Sequence, residues 1–287
     1  MEKFRSYGER SRGRIGKMIE QLSDVKDLRI DDQSRERLKK VAEEQEKPDG
    51  KRYIFAPNHV KPDSAFRREA ALADDFPVLN KVLVDAGIVR NYPVARGDGD
   101  LPVDGPISRL VYEAHRKVFS ALGKHIAGTI PLNINKLDRK FAAKKNIPAI
   151  RGLRDILEQK VGNITFYPFG NWYGSGEQDF SEATALPSGT FMKAAKSKGE
   201  PEFDAWENSL KRGVFAMSRM TSSPVVPIHV ARDGANWTIR VGEPIETPGG
   251  DDKKDIEETM ARLYLQQMQT MDAETKKKGP EDSGTST

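Results

Sequence analysis

The amino-acid sequence predicts an α/β fold in which helices flank a mostly parallel central sheet. From Tyr53 onward, short apolar runs alternate with amphipathic segments, which is the pattern of strands joined by crossover helices. The chain of 287 residues, of which 37% are hydrophobic, is long enough to bury a sizeable core. No apolar run approaches the roughly 20 residues that a membrane-spanning helix requires. These observations together predict a layered, soluble domain.

The first 50 residues are predicted to form a small N-terminal helical region. The segments 10–22 and 34–46 each place apolar residues at helical spacing, and the charges of the region nearly balance. The run Lys47-Pro48-Asp49-Gly50 has the composition of a turn and marks the predicted boundary. We therefore assign residues 1–50 to the helical region and residues 51–272 to the α/β domain.

Within the α/β domain, short apolar runs predict the strands, and apolar residues three or four apart predict the helices. The predicted strands are Tyr53–Ala56, Ile126–Ile134, Ile164–Tyr167, Pro224–Val230 and Trp237–Val241. The predicted helices are 64–73, 76–86, 106–122, 148–160, 205–219 and 253–271. The tail 273–287 has nothing to bury and is predicted to be disordered.

The composition excludes several kinds of site. The chain has no cysteine, which excludes disulfides, cysteine-ligated zinc, iron–sulfur clusters and a thiol nucleophile. The net charge of +4 is too small to indicate nucleic acid as a partner. The first residues lack the apolar stretch of a signal peptide, so a cytoplasmic location is expected.

The basic residues are concentrated between Lys136 and Lys160. This stretch contains eight Lys or Arg and three acidic residues, so its surplus of positive charge exceeds that of the whole chain. Such a cluster is most often a solvated helix face, and it can also be a site for an anionic ligand. The motifs that lie near this stretch in the sequence are needed to choose between a solvated helix face and an anion-binding site.

His59 is the histidine with the most distinctive surroundings. It follows a predicted strand in YIFAPNHVKPDSAF, and Asp63 comes four residues later. Loops at the carboxyl ends of strands carry the ligand-binding groups of α/β proteins. A carboxylate that orients a histidine there makes a general base. Asp63 also directly precedes a predicted helix, so the alternative role of an N-cap is open.

A second candidate loop follows the predicted strand at Ile164. The segment NITFYPFGNWYGSG contains Gly170, Gly174 and Gly176, whose backbone can approach a ligand closely and donate N–H groups to an anion. An ordinary glycine-rich turn is the alternative. Further along, SSPVVPIHV has two prolines that bracket the start of a strand, which favours a strand end or a sheet edge.

Taken in order, these segments resemble the glycerolipid acyltransferase family of lysophosphatidate and glycerol-3-phosphate acyltransferases. That family has a strand ending in N-H-x-x-x-x-D, then a G-x-I block, F-P-E-G-T-R, a V-P-V block and a late G-x-P-I segment. Here PNHVKPD, GTIPLNINK, YPFGNW, PVVPIHV and VGEPIETP follow in that order, between about Tyr53 and Leu265. The chain is most similar to the soluble plastid-type glycerol-3-phosphate acyltransferases, which have an N-terminal helical domain and a basic block like INKLDRKFAAKKNIPAIRGLRDIL.

The resemblance implies transfer of a fatty acyl group to a hydroxyl of glycerol-3-phosphate or a lysophospholipid. The donor would be a thioester of acyl carrier protein or coenzyme A. His59 would be the general base and Asp63 would orient it. The residues implied in binding the acceptor's phosphate and the oxyanion are Lys136, Arg139, Lys144, Lys145, Gly170 and Asn171. The resemblance implies no metal or other cofactor and no nucleic acid, and any membrane contact is expected to be peripheral.

Two departures from the family's motifs leave other functions open. Three residues separate His59 from Asp63, where the family has four, and Ser64 occupies the family's acid position. Phe169 replaces the glutamate of the third motif, and Asn171-Trp172 replace residues that include an arginine. One alternative is a non-catalytic relative that binds a ligand. The other is an H-x-x-x-D acyltransferase of the chloramphenicol-acetyltransferase-like class, whose spacing matches.

Overall fold

The computed structural model describes residues 27–60, 75–88, 90–98, 130–133, 139–169, 210–233 and 235–277. These residues form seven strands and five helices. The strands are β1 (Asp27–Ile30), β2 (Ile54–Pro57), β3 (Asn91–Asp98), β4 (Ile130–Asn133), β5 (Asn163–Thr165), β6 (Val225–Asp233) and β7 (Asn236–Val241). The helices are α1 (Asp32–Glu46), α2 (Asp75–Asp85), α3 (Arg139–Glu158), α4 (Gly213–Thr221) and α5 (Lys253–Lys277).

The seven strands lie in the order β1-β7-β6-β2-β5-β3-β4, so β2 is the central strand. Five of the six pairings between these described strands are parallel, and the pairing of β6 with β7 is antiparallel. As a result, β1 and β7 run opposite to the other five strands. The predicted α/β class with a mostly parallel sheet is confirmed.

The sheet separates two hydrophobic cores. Successive side chains of a strand point to opposite faces. Ile54 and Ala56 of β2 therefore lie in one core, together with residues of α3, α4 and α5. Phe55, between them, lies in the other core with residues of α1 and α2. Both faces of β2 are thus covered, which leaves its two ends as the places where side chains can meet a ligand.

Local signals in the sequence explain where two of the helices begin. The Asp31 carboxylate accepts a hydrogen bond of 2.7 Å from the Ser34 backbone N–H and caps α1. Asp252 accepts hydrogen bonds from the backbone N–H groups of Lys254 and Asp255, which are orphan donors of the first turn of α5. Asp252 therefore caps α5.

The predicted strands agree well with the observed ones. Each of the five predicted strands overlaps an observed strand (β2, β4, β5, β6 or β7), although residues 126–129 and 134 lie outside the described residues. The sequence patterns do not predict β1 or β3. The four residues of β1 include two charged ones, and β3 contains Pro93, Gly97 and Asp98, which are uncommon in strands.

Two predicted helices are confirmed with small shifts, and two differ more. α2 and α5 match the predicted segments 76–86 and 253–271, whereas α4 begins only at Gly213. α3 begins at Arg139, nine residues before the predicted start at Pro148. A proline inside a helix costs about 3 kcal/mol and is favoured at the first helical position, which makes Pro148 look like a start. The predicted helices 64–73 and 106–122, and the segment 10–22, lie outside the described residues.

The described part of the predicted N-terminal region packs on the same sheet as the rest. β1 pairs with β7 from Asp27↔Asn236 to Ile30↔Ile239. The Ser34 hydroxyl of α1 accepts a hydrogen bond of 2.8 Å from the Val241 backbone N–H. The division of the chain at residue 50 stays a prediction. The start of the tail is corrected, because α5 continues to Lys277.

Candidate functional site

The carboxyl end of β2 lies where the order of the strands reverses. Within the sheet, β3, β4 and β5 all lie to one side of β2. The next strand along the chain, β6, lies next to β2 on its other side. In open α/β sheets, ligands bind outside the carboxyl ends of the strands at such a point. The segment Asn58-His59 follows β2 directly, so its side chains occupy the position where this architecture predicts a binding site.

The side chain of Asn58 fixes the backbone just before His59. Asn58 is fully buried, and its Oδ1 accepts a hydrogen bond of 2.8 Å from the Val230 backbone N–H. Its Nδ2 donates to the Val230 carbonyl, also at 2.8 Å, and to the carbonyl of His59 at 3.1 Å. This amide therefore continues the pairing of β2 with β6 by one residue. Because a buried amide with satisfied hydrogen bonds is costly to move, the loop begins from a rigid point.

The ring of His59 stacks on the ring of Tyr167. Their centroids are 3.7 Å apart and their planes differ by 3°. Tyr167 follows β5, which pairs with β2 through Ile54↔Ile164 and Phe55↔Thr165. Both side chains are half-buried, so each has one part packed and another part accessible. The stack sets the plane of the imidazole while the ring stays within reach of a ligand.

Phe169, at the position of the family's glutamate, is part of the hydrophobic core. It is 2% exposed and lies 6.0 Å from the ring of Tyr264 on α5. The Tyr264 hydroxyl donates a hydrogen bond of 3.1 Å to the carbonyl of Ala56 in β2, and burial raises the pKa of Tyr264 well above its usual value. The third motif thus continues from the accessible Tyr167 into packed core within two residues.

Most of the other predicted site residues lie outside the described part of the chain. These are Asp63, Lys136, Gly170 and Asn171, and the predicted contact between His59 and Asp63 therefore stays a prediction. Arg139, Lys144 and Lys145 belong to the first turns of α3, of which the backbone is described. α3 connects β4 to β5, and these strands run parallel to β2. Its basic first turns therefore begin at the edge of the sheet where β2 ends.

A second histidine next to a carboxylate lies within β6, beside the end of β2, because the preceding Ile228 pairs with Pro57. His229 of β6 is 0% exposed, and its Nε2 lies 3.3 Å from Oδ1 of Asp272 on α5. Burial opposes the ionisation of Asp272, but hydrogen bonds from His229 and Lys276 outweigh it and lower the pKa of Asp272. The Thr275 hydroxyl lies 3.5 Å from the other ring nitrogen, Nδ1. Sequence reasoning does not find this pair because 43 residues separate its members.

The described residues contain no group of three or more His, Asp or Glu side chains that could hold a metal ion. None of the helices within these residues is long and apolar enough to cross a membrane. Comparison with known proteins leaves the family open, because no protein-family model matches the sequence and no curated protein matches it.

Proposed function

We propose that the chain is an O-acyltransferase that moves a fatty acyl group from a thioester to the hydroxyl of a phosphorylated alcohol. The observation that carries the proposal is the position of His59. It follows the central strand at the point of reversal, is accessible in part, and has its ring plane held by Tyr167. A general base needs this combination of orientation and access.

The arrangement of the motifs on the sheet supports the same function. PNHVKPD begins at the last residue of β2, YPFGNW follows β5, and PVVPIHV includes the first six residues of β6. These three strands are neighbours, with β2 in the middle. GTIPLNINK contains β4 and leads toward the basic helix α3. Segments that are far apart in sequence but similar to one family's motifs therefore surround one edge of the sheet.

The reaction follows from the proposed role of His59. An imidazole nitrogen removes the proton of the acceptor hydroxyl as its oxygen attacks the thioester carbonyl. The resulting tetrahedral oxyanion collapses, the carbon–sulfur bond breaks, and the imidazolium returns its proton to the leaving thiolate. Positioned acid–base catalysis contributes about 10²–10⁴-fold. Backbone N–H groups near Gly170 and Asn171 are proposed to stabilise the oxyanion.

The proposed substrates fit the charge of the chain. The acceptor would be glycerol-3-phosphate or a lysophospholipid, whose phosphate is proposed to bind Lys136, Arg139, Lys144 and Lys145. Both proposed donors, acyl carrier protein and acyl-coenzyme A, are anionic and suit a basic surface. The cytoplasmic location remains a prediction.

The direct test is an assay of acyl transfer with the purified chain. Acyl-coenzyme A and acyl carrier protein are offered as donors with several phosphorylated alcohols, and mass spectrometry identifies the product. We expect a new ester and a stoichiometric amount of free thiol. A folded protein that produces no ester from any of these pairs contradicts the proposal.

Replacement of Asp63 separates a catalytic role from a capping role. Asn caps a helix nearly as well as Asp, so Asp63→Asn should leave the melting temperature almost unchanged. If Asp63 orients His59, the same change slows the reaction because an amide favours the wrong tautomer of the ring. Kinetics and thermal unfolding of Asp63→Asn and Asp63→Ala give the answer. Full activity of Asp63→Asn, with a lower melting temperature for Asp63→Ala alone, would make Asp63 a cap.

Phe169 supports a second candidate function, a non-catalytic relative that binds an acyl thioester. The family's acidic residue is replaced by Phe169, which packs in the core and carries no group for acid–base chemistry. This candidate predicts that calorimetry detects binding of acyl-coenzyme A while mass spectrometry detects no ester. The chloramphenicol-acetyltransferase-like alternative rests on the three-residue spacing alone.

A further inference from the structure

The amino-terminal edge of the sheet contains two side-chain amides in contact. Asn163, the first residue of β5, is 1% exposed, and its Oδ1 accepts a hydrogen bond of 2.9 Å from the Tyr53 backbone N–H. This contact fixes the orientation of the Asn163 amide, because only its oxygen can accept. Its Nδ2 donates to Oε1 of Gln45 at 3.0 Å and to the Arg90 carbonyl at 3.2 Å. The oxygen of the Gln45 amide is therefore used within the fold.

The nitrogen of the Gln45 amide is a buried donor without an acceptor. No acceptor among the described residues lies within hydrogen-bond distance of this Nε2. Exchanging the oxygen and nitrogen of the amide would not help, because Nε2 would then face Nδ2 of Asn163, which is also a donor. A buried donor that lacks an acceptor is destabilising. The position of Nε2 therefore favours an oxygen atom supplied by a ligand.

Two arginines lie beside this pair of amides. Arg52 directly precedes Tyr53 and is half-buried. It donates through Nη1 to the Gln45 carbonyl at 2.9 Å and through Nε to the Lys160 carbonyl at 3.0 Å. Arg90 directly precedes β3, and its carbonyl also accepts a hydrogen bond of 2.8 Å from the backbone N–H that begins β5. Because β5 lies between β2 and β3, the two arginines flank its start.

The two arginines form a locally positive region. Burial and the nearby charge of Arg90 both lower the pKa of Arg52, whereas a carboxylate close to Arg52 would raise it. Among the described residues, neither arginine forms an ion pair. Two carboxylates near the adjacent Tyr53 are instead paired with lysines, namely Glu44 with Lys47 and Glu246 with Lys51. A ligand at this edge that supplies oxygen atoms is therefore expected to be anionic.

We propose that Gln45, Arg52 and Arg90 form a binding site for a phosphate group at the amino-terminal edge of the sheet. Guanidinium groups bind phosphate through charge-assisted hydrogen bonds that are often bidentate. The hydrogen bonds of Arg52 within the described residues use Nε and Nη1, which leaves Nη2 for a ligand. Donors on three side chains suit the several oxygens of a phosphate better than the two of a carboxylate.

This site is separate from the one proposed for catalysis. Arg52 precedes β2 and His59 follows it, and seven residues of nearly extended chain place them about 20 Å apart. The inference therefore goes beyond the proposed function and does not depend on it. A phosphate bound at the amino-terminal edge would be a second ligand, at a distance from the reacting atoms.

The test is isothermal titration calorimetry of the full chain with inorganic phosphate. We expect saturable binding that weakens when salt is raised to about 0.5 M. Arg90→Gln should bind phosphate about tenfold more weakly, because a charged donor is lost. Acetate should bind more weakly than phosphate. Phenyl phosphate that binds at least as tightly as inorganic phosphate would identify a phosphate ester as the ligand, and weaker binding would identify the free ion.

A second variant tests the amide directly. Gln45→Glu keeps an oxygen for Asn163 and places a carboxylate oxygen where Nε2 lies, beside the two arginines. The variant should remain folded, with a melting temperature at least equal to that of the wild type at pH 7, because the new charge has positive partners. Its binding of phosphate should be lost, because the carboxylate repels the anion.

The matched control is Arg262→Gln, which removes an exposed arginine of α5 that forms no ion pair with the described residues. It should change phosphate binding by less than about twofold, and thermal unfolding should confirm that all the variants fold. The proposal is overturned if the wild type shows no saturable binding of phosphate. It is also overturned if Arg90→Gln and Arg262→Gln weaken binding equally, or if Gln45→Glu binds phosphate like the wild type.

Discussion

His59 and His229 lie on neighbouring strands of one sheet, yet their surroundings differ in almost every respect. His59 follows the end of β2, is half-buried and stacks on an aromatic ring. His229 lies within β6, is 0% exposed and lies next to the carboxylate of Asp272. His229, which contacts the Asp272 carboxylate, is therefore the more deeply buried of the two histidines.

A histidine and a carboxylate in contact also need access to a substrate in order to act as a catalytic pair. The His229–Asp272 contact belongs to a network that joins the last turns of α5 to the sheet. Arg240 of β7 donates to Glu274 and Thr275 of α5, and to Asp31, which caps α1. Access distinguishes His59, which is half-buried, from His229, which is 0% exposed, and stability is the expected role of His229.

The largest expected effect is on catalysis at His59. His59→Ala should lower kcat by about 10²–10⁴-fold, because the general base is lost. The melting temperature should change only modestly, since the side chain is half-buried at a strand end. The matched control is His229→Gln, which should lower the melting temperature and leave the activity of the folded protein intact. If the two variants show the opposite pattern, the assignment of the two histidines is wrong.

A smaller effect, on stability alone, is expected at Asp272. Asp272→Asn should lower the free energy of unfolding by about 1–3 kcal/mol at pH 7, because the buried His229 loses a charged partner. The folded protein lowers the pKa of Asp272. Its charge therefore stabilises the fold above the unfolded-state pKa, about 3.8. This stabilisation is lost as the pH falls through the lower folded-state value.

Denaturant unfolding at several pH values measures this dependence. The gap in stability between wild type and Asp272→Asn should be largest near neutral pH and should close in acid. A gap that stays constant from pH 7 into the acid range would mean that the Asp272 charge adds nothing to stability.

The smallest expected effect is on the orientation of His59 by Tyr167. Tyr167→Leu removes the stacked ring, and a stack is worth about 0.5–1.5 kcal/mol, so kcat should fall by about 2–10-fold. Tyr167→Phe keeps the ring and should restore kcat, while KM stays similar in both variants. Steady-state kinetics of the two variants test whether Tyr167 positions His59. Equal kcat values for Tyr167→Leu and Tyr167→Phe would contradict this positioning role.

The architecture around His59 was largely predictable, because short apolar runs of the type found in β2, β5 and β6 are a strong local signal. The position of His59 at a strand end follows directly from that pattern. Its stack on Tyr167 was not predictable, because 108 residues separate the two side chains and only the pairing of β2 with β5 brings them together. The contact between His229 and Asp272 was not predictable either, because 43 residues separate them in the sequence.

The errors in the predicted elements have local causes. Pro148 marked a false helix start, since the packing of Leu153 and Leu157 in the core outweighs the cost of a proline inside α3. β1 was missed because its four residues do not contain a distinct alternation of apolar and polar side chains. β1 is stabilised by its pairing with β7, a strand far along the chain, although its own sequence has no clear strand pattern.

The pairing of β1 with β7 also has a consequence for synthesis of the chain on the ribosome. Asp27 is paired with Asn236, and at roughly 5–20 residues per second the ribosome takes about 10–40 s to add the residues between them. Throughout that interval, Leu38 and Val41 of α1 are without the strand that they later cover. Nascent chains of intermediate length are therefore the form of this protein that we expect to expose the most apolar surface and to aggregate most readily.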